Sequence, residues 1–259
     1  MKNLKKKDRL TIIKCKKFLS KKIENKLKNY KSETDYYPFH DALVGKKYRK
    51  IGSFMHSINM ALGQSIWEEF CKILGTANNK SVTRQYKIPY SLSQSTDNQI
   101  YEIYQKIVKN KINPGDNSIT EKIKKFSTKE DGKDEDRVVD IFIEDKSSIH
   151  FIDLTSVKPN KKEFTILKLK LLRWLALGYS NYKNKKIYAY IAMPFNPYEP
   201  QSYKRFSGIE RFDYKKDLKI GKDFWNSIAG FDVYKHLIDI YKNIGNRHRK
   251  QIVERFENL

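Results

Sequence analysis

The pattern of apolar and polar positions divides the chain into a helical beginning, a strand-rich centre and a helical end. Residues 2–30 combine many lysines with spaced apolar positions such as Leu10, Ile13, Phe18 and Ile23, which predicts an amphipathic helix with a solvated basic face over a packed stripe. Residues 51–74 are more apolar and predict a second helix that belongs to the core. The first third of the chain is therefore predicted to be mainly helical.

Three weaker patterns follow before the centre of the chain. Residues 82–89 predict a strand and residues 97–110 predict a helix. The charged stretch at 121–137 is typical of an insertion or a flexible connection. No internal repeat is present in the sequence.

The centre of the chain predicts a β-hairpin. Residues 137–144 and 148–157 are rich in β-branched and aromatic side chains, and only Asp145, Lys146 and Ser147 separate them. Such a short connection between two strand-like runs indicates that the strands are antiparallel neighbours.

The second half of the chain mixes helix and strand patterns. Residues 162–177 predict a strongly apolar helix, residues 186–193 predict a buried strand, and the chain from residue 224 onward is helical in pattern. Because helices must cover such a sheet on both faces, the fold class is expected to be α/β (α+β). We predict a single domain with a mainly helical part at 1–75, a core at 82–230 and a helical tail at 231–259.

Two aspartates in the predicted hairpin are candidates for a metal site. A loop centred on Lys146 and Ser147 places Asp140 directly opposite Asp153 on one face of the hairpin. Opposed carboxylates among apolar neighbours destabilise the fold unless a cation neutralises them. Mg²⁺ accepts a few carboxylate oxygens and leaves positions for water and phosphate. The alternative is structural: one aspartate caps a turn or pairs with a lysine.

Composition adds a polyanionic partner to this interpretation. Lys and Arg number 53 against 30 Asp and Glu, which gives a net charge of +23. A basic amphipathic N-terminus alone would also suit an anionic lipid surface, but positive charge spread through the chain favours nucleic acid. The two cysteines lack disulfide or zinc spacing, which indicates a reducing cytoplasm. Lysines interrupt the first apolar run, so neither a signal peptide nor a membrane span is expected.

The aspartate pair and several sequence strings resemble the PD-(D/E)XK nucleases. Asp140 matches the first acidic position of that motif and Asp153 matches the second. The string FIDLTSVKPN at 151–160 is similar to a stretch of type II restriction endonucleases of the TdeIII-like group. Further similar blocks are ALGQSIWEEF at 61–70, MPFNPYEP at 193–200 and FWNSIAG at 224–230.

The resemblance implies both a fold and a reaction. It implies a restriction-endonuclease-like core with a mixed central sheet flanked by helices, plus a helical N-terminal region. It also implies Mg²⁺-dependent hydrolysis of double-stranded DNA at a short specific site, by a homodimer whose functional partner is a cognate DNA methyltransferase. On the matching helix, Glu68 is the expected additional acidic residue, with Glu69 as the close alternative.

The sequence departs from the family pattern at the third motif position. Thr155 stands two residues after Asp153, where the family has a lysine that helps to position the attacking water. Lys158 is near in sequence but points to the opposite face unless the strand breaks. Lys168 or Lys170 on the following helix are alternative sources of the cation. Threonine at this position otherwise indicates an inactivated form or a relative that has lost catalysis.

Several polar side chains are candidates for DNA contacts, and three functional hypotheses stay open. Base or phosphate contacts are expected from Arg84, Asn196, Lys204 and Arg205, with Gln85 and Gln201 as further residues of suitable chemistry. The first hypothesis is a type II restriction endonuclease. The second is a non-catalytic DNA-binding protein on the same scaffold, for which Thr155 is the strongest argument. The third is a repair or recombination nuclease.

Overall fold

The structure is a computed structural model that describes residues 4–31, 34–61, 63–126, 128–129, 137–157, 161–204 and 209–257. Within these residues the helices are α1 (Lys6–Asn29), α2 (Pro38–Val44), α3 (Lys46–Ala61), α4 (Gln64–Ala77), α5 (Gln94–Val108), α6 (Asn117–Ile123), α7 (Lys161–Asn181), α8 (Lys222–Ala229) and α9 (Tyr234–Glu257). The strands are β1 (Ser81–Lys87), β2 (Ser91–Leu92), β3 (Thr128–Lys129), β4 (Val138–Glu144), β5 (Ser148–Leu154), β6 (Lys186–Met193) and β7 (Leu218–Ile220).

A five-stranded mixed sheet in the order β1-β4-β5-β6-β7 forms the centre of the molecule. β1, β4 and β5 are antiparallel neighbours, whereas β5, β6 and β7 run parallel. A tight loop suffices to join β4 to β5, but the parallel pair needs a long crossover, which α7 supplies. The mixed sheet flanked by helices confirms the expected fold class.

The register of the β4–β5 hairpin agrees with the register predicted from its short loop. Ile141 pairs with Ile152, and Glu144 pairs with Ile149. Asp145 fixes the turn, because its side chain accepts hydrogen bonds from the backbone N–H groups of Ser147 and Ser148 at 3.0 and 2.9 Å. The alternation of the two strands then determines which side chains share a face.

Two helical layers cover the sheet. On one face, α1, α4, α8 and α9 pack on the sheet side chains Ile141, Ile143, Ile152, Leu154, Tyr190 and Ala192. On the other face, α7 packs through residues that include Phe164, Leu171 and Trp174. Helices α5 and α6 lie behind α7 and share a cluster with Leu172 and Ala176. The site residues are thus held between two well-packed layers.

The basic first helix packs into this core by a stripe that agrees in part with the predicted one, because Ile23 is buried and Phe18 packs partly against the core. Its buried side chains include Ile12, Cys15 and Leu19, while Leu10 and Ile13 are 52% and 41% exposed. Packing against α4 and α9 sets the rotation of the helix, and the sequence pattern alone left that rotation open. None of the helices within the described residues is long and apolar enough to cross a membrane.

The other predicted elements agree with the structure to differing degrees. The predicted strand at 186–193 has the same bounds in the structure, and the predicted apolar helix at 162–177 extends to Asn181. The charged stretch predicted as a connection lies partly outside the described residues, which include the short strand β3 paired with β2. The helix predicted at 51–74 corresponds to the two helices α3 and α4, and the sequence patterns did not predict α2, α6, β2, β3 or β7.

Candidate active site

Asp140 and Asp153 lie together at one end of the β4–β5 hairpin. The last paired residues of the ladder are Ile141 and Ile152, and the two aspartates stand one step beyond them. There the Asp140 carboxylate accepts a hydrogen bond from the backbone N–H of Leu154 at 2.8 Å. This bond holds the Asp140 side chain against β5, on which Asp153 is carried.

The two carboxylates lie close together in a largely buried site, and this raises the pKa of Asp140. Burial, followed by the charge of Asp153, raises the pKa of Asp140 to about 6. The N–H of Leu154, the ammonium of Lys170 and the amide of Gln85 act in the opposite direction. Asp153 itself is only 6% exposed. A cation near both carboxylates would therefore be favourable.

The cation that the structure brings to the pair is Lys170, from α7. Its Nζ lies 2.6 Å from Oδ2 of Asp153. The same ammonium lies 4.7 Å from the centre of the Trp174 ring, one helical turn further along α7. The buried indole and the carboxylate together direct the lysine toward the hairpin.

The other candidates for the motif lysine take different places. Lys168 is buried and forms an ion pair with Asp217 at 2.5 Å. Lys158 lies outside the described residues. Thr155 directly follows β5, and its backbone N–H donates to the carbonyl of Ala192 on β6 at 3.1 Å. Of the three lysines proposed from the sequence, Lys170 is the one that the structure joins to Asp153.

Glu68 is connected to Asp140 through an intervening amide. Glu68 is 5% exposed on α4, and its Oε1 accepts a hydrogen bond from Nε2 of Gln85 at 2.8 Å. The same Nε2 donates to Oδ1 of Asp140 at 3.2 Å. Glu69, the alternative residue, forms an ion pair with Arg84 instead. The neutral amide of Gln85 thus holds two carboxylates at one place without neutralising either.

Gln85 occupies an unusual backbone position that sequence reasoning missed. Its φ is +49°, in the left-handed region that a residue with a side chain seldom adopts. The β1–β4 ladder pairs Arg84 with Ile141 and Tyr86 with Val139, and passes over Gln85. From its sequence position Gln85 is predicted only as a possible base-reading residue, because glutamine carries no signal for positive φ.

The predicted DNA-contact residues differ in whether their side chains are already bound to other residues of the protein. Arg84 contacts Glu68 at 3.4 Å as well as Glu69. Asn196 uses its side-chain amide within its own loop, where Nδ2 donates to the carbonyl of Gln201 at 2.7 Å. Lys204 is exposed, and Arg205 lies outside the described residues.

The residues present fit a divalent cation held by two carboxylates. Among the described residues, no group of three or more His, Cys, Asp or Glu side chains is arranged as a metal site. Asp140 and Asp153 nonetheless supply the hard oxygen donors that Mg²⁺ prefers, and such an ion would offset the burial and the charge of Asp153 that together raise the pKa of Asp140. A third carboxylate, Glu68, is one amide away.

A mixed sheet that carries paired carboxylates and a lysine at one end is the arrangement implied by the resemblance to metal-dependent nucleases. The sequence model of the family "Type II restriction endonuclease, HinfI" matches residues 10–245, which is most of the chain. The chain therefore belongs to this family of type II restriction endonucleases, which are site-specific deoxyribonucleases. The narrower TdeIII-like grouping is not confirmed.

Curated relatives carry names of the same class. The type II restriction enzyme HgiCII of Herpetosiphon aurantiacus is 27% identical over 241 residues, which cover 90% of this chain and 86% of HgiCII. HgiEI of the same organism is 26% identical, with the same shares of the two chains covered. MjaII of Methanocaldococcus jannaschii is 26% identical, over 83% of this chain and 64% of MjaII. No solved structure gives a significant match.

Proposed function

We propose that this chain cleaves double-stranded DNA at a short specific site by Mg²⁺-dependent hydrolysis, and that Lys170 supplies the cation that Thr155 lacks. The observation that carries the proposal is the contact of Lys170 with Asp153 beside Asp140. Membership of a restriction endonuclease family supports the reaction class. We further propose that the chain acts as one nuclease domain.

Asp140 and Asp153 are the residues that would hold the metal ion. When bound, the ion supplies positive charge that activates water and stabilises charge on the phosphoryl oxygens. Asp140 also keeps the bond from the Leu154 N–H to its Oδ2, which fixes the direction of Oδ1, the oxygen that faces the amide of Gln85. Lys170 then stands where an ammonium can donate to a phosphate oxygen or orient the attacking water.

Glu68 is proposed as the third acidic residue of the site, with an indirect role. Its link through Gln85 to Asp140 makes it a residue that sets the position and charge of the metal-binding carboxylate. Burial of Glu68 excludes a role as a simple surface charge. Arg84, which pairs with Glu68 and Glu69, balances the charge of this acidic group, and DNA contact would require it to exchange partners.

The partners of the chain are proposed from charge and from symmetry. A net charge of +23 suits the phosphate backbone, and exposed Lys204 is a candidate phosphate contact, with Arg205 beside it in sequence. A homodimer would place one active site at each strand of a palindromic target. A DNA methyltransferase that modifies the same target would be its functional partner. Two buried free cysteines suit a reducing cytoplasm.

The decisive experiment is digestion of phage or plasmid DNA with the unmodified chain in Mg²⁺. Discrete fragments, absent in EDTA and absent with Asp140→Ala, are the expected result. The second candidate function is non-catalytic DNA binding, which Thr155 favours because threonine provides no charge. Salt-sensitive DNA binding without cleavage by either the unmodified chain or Thr155→Lys would establish that alternative and overturn the nuclease proposal.

A further inference from the structure

An aromatic pocket of about 600 Å³ opens between the α3–α4 and α8–α9 segments, at the end of β6. Six rings line this aromatic pocket: Trp67, Phe70, Phe195, Trp225, Tyr234 and Tyr241. The proposed chemistry at Asp140 and Asp153 does not use any of these six side chains. A pocket of this size and lining is typical of a binding site for an organic ring.

The aromatic pocket is built on the same segments as the active site. Trp67 precedes Glu68 on α4, and the two neighbouring residues of that helix face in different directions. Phe195 follows the end of β6, on which the carbonyl of Ala192 accepts the N–H of Thr155. Because β5 and β6 are parallel and Asp153 pairs with Ile191, Asp153 and the aromatic pocket lie toward the same end of the sheet, with the pocket in the layer of α4, α8 and α9.

The lining is mostly apolar ring surface, with the buried hydroxyl of Tyr241 among its polar atoms. The indole N–H of Trp225 already donates to the carbonyl of Pro194 at 2.8 Å, so the ring presents mainly its apolar surface. Phe70 packs against Trp225 and Tyr241, with ring centres 6.3 Å apart in each case. At the rim, Phe195 is 44% exposed, which leaves a large apolar face in contact with water. A flat apolar ligand would cover that face.

The charge of the lining residues indicates which kind of ligand fits the aromatic pocket. Among the described residues that line the aromatic pocket, Glu199 is the charged residue, and none is a lysine or an arginine. In a chain of net charge +23, this lining disfavours a phosphate group. A carboxylate instead accepts hydrogen bonds from amino groups, as it does from the exocyclic amines of bases. The matching ligand is a neutral, planar ring that carries an amino group.

We infer that the aromatic pocket receives one base of the DNA substrate, rotated out of the duplex, and that this base carries an amino group. Stacking on the rings compensates for the stacking lost in the duplex, and Glu199 selects adenine, cytosine or guanine over thymine. This inference rests on the proposed function, because it requires that DNA be bound at the neighbouring aspartates.

The test removes the pairing partner of each base in turn. Duplexes carry the sequence that the unmodified chain cleaves, with an abasic residue opposite one position of the site at a time. Binding is measured with Asp140→Ala in Mg²⁺ and with the unmodified chain in EDTA, so that a folding defect in the variant does not decide the result. Because an unpaired base rotates out more easily, we expect the Kd to fall about tenfold at one position and its symmetry mate.

Variants of residues at the rim test whether this gain in affinity depends on the aromatic pocket. Phe195→Ala removes an exposed ring and Glu199→Gln removes the acceptor charge, and each is expected to reduce the tenfold gain to about twofold or less. Tyr101→Ala, which removes an exposed tyrosine on α5 that is not part of the lining, is the matched control and should retain the full gain.

Three results would overturn the inference. One is that no abasic substitution tightens binding to the cleaved site. Another is that the gain survives in both Phe195→Ala and Glu199→Gln. The third is that these variants change the oligomeric mass and leave the gain unchanged, which would assign the aromatic pocket to a second copy. Cleavage without any gain rejects the inference alone, whereas absence of cleavage on every DNA rejects the proposed function with it.

Discussion

Lys170 Nζ and Asp153 Oδ2 are 2.6 Å apart, although 17 residues separate them in the chain. The family motif would place a lysine two residues after this aspartate, at the position of Thr155. In this fold α7 packs over the strand that carries Asp153, so a helical lysine reaches the same carboxylate from above the sheet. The change at Thr155 therefore does not remove positive charge from the site.

The first prediction concerns this lysine. Lys170→Gln keeps a hydrogen-bond donor but removes the charge, and we expect the single-turnover cleavage rate to fall by about 10²- to 10⁴-fold. The DNA dissociation constant should change little, because the proposed role of this side chain is to act at one reacting phosphate. Lys72→Gln on α4 is the control, since Lys72 is exposed. Equal cleavage rates for the two variants would contradict the assignment.

The second prediction transfers the charge to the motif position. In a chain that carries Lys170→Gln, adding Thr155→Lys should restore at least about tenfold of the lost rate, because an ammonium at that position can reach the same carboxylate. The measurement is the single-turnover rate of the double variant compared with that of Lys170→Gln. A double variant that is no faster would show that Thr155 does not occupy the position of the motif lysine.

The third prediction follows from the raised pKa of Asp140. The folded, metal-free chain holds a proton on this carboxyl up to about pH 6, whereas the ordinary value is 3.8. Stability without metal should therefore decrease as the pH rises from 3.8 to 6, and the full destabilisation should remain above pH 6. Because Mg²⁺ competes with this proton, its apparent affinity should decrease about tenfold per pH unit below 6.

Thermal melting with Mg²⁺ titrations, one pH unit above and one below 6, measures this competition. Mg²⁺ should raise the melting temperature at the higher pH and require a much higher concentration at the lower pH. Asp140→Asn is the control, because it carries no titrating carboxyl and should lose this pH dependence. Identical Mg²⁺ midpoints at the two pH values in the unmodified chain would refute the coupling.

The fourth prediction separates the backbone of Gln85 from its amide. Gln85→Gly and Gln85→Ala both remove the bridge between Glu68 and Asp140, so both should raise the Mg²⁺ concentration needed for half-maximal cleavage. Glycine accepts φ of +49° without strain, so the glycine variant should be about 1 kcal/mol more stable than the alanine variant. Urea unfolding gives the stability difference. If glycine restored normal Mg²⁺ dependence, the amide would have no positioning role.

The fifth prediction assigns the proposed dimer contact to α2. Phe39 and Leu43 are 86% and 84% exposed, and no lysine or arginine occurs between Lys31 and Lys46, so a second copy meets little positive charge there. Phe39→Lys with Leu43→Lys should reduce the mass in light scattering from twice 30.8 kDa to 30.8 kDa. Ile166→Lys with Tyr101→Lys, two other exposed apolar positions, should leave the mass unchanged.

The sequence was most informative where local pattern and geometry determine the structure. The alternation of residues in the hairpin and its short loop gave the correct register, and this register places Asp140 beside Asp153. The apolar run at 186–193 was assigned as β6 with the correct bounds, because a short, fully buried strand leaves a continuous apolar signal.

The sequence was least informative about contacts that depend on how helices and strands pack against each other. Lys168 and Lys170 lie two residues apart on one helix, so they point in nearly opposite directions, and the rotation of α7 on the sheet determines which of them meets Asp153. The role of Gln85 was similarly hidden, because its backbone conformation and its contact with Glu68 depend on how β1 meets α4. The spacing of residues in the sequence predicts neither the contact of Lys170 with Asp153 nor that of Gln85 with Glu68.

Helix α4, which carries Glu68, is covered by a helix that is synthesised much later than α4 itself. Phe70 of α4 packs against Tyr241 of α9, and both belong to the layer that α1 completes. A growing chain that has reached β6 but lacks α9 leaves this side of α4 exposed to water. We therefore expect nascent chains to hold Glu68 and Gln85 loosely, so that the capacity to cut the DNA of the cell arises only once α9 has docked.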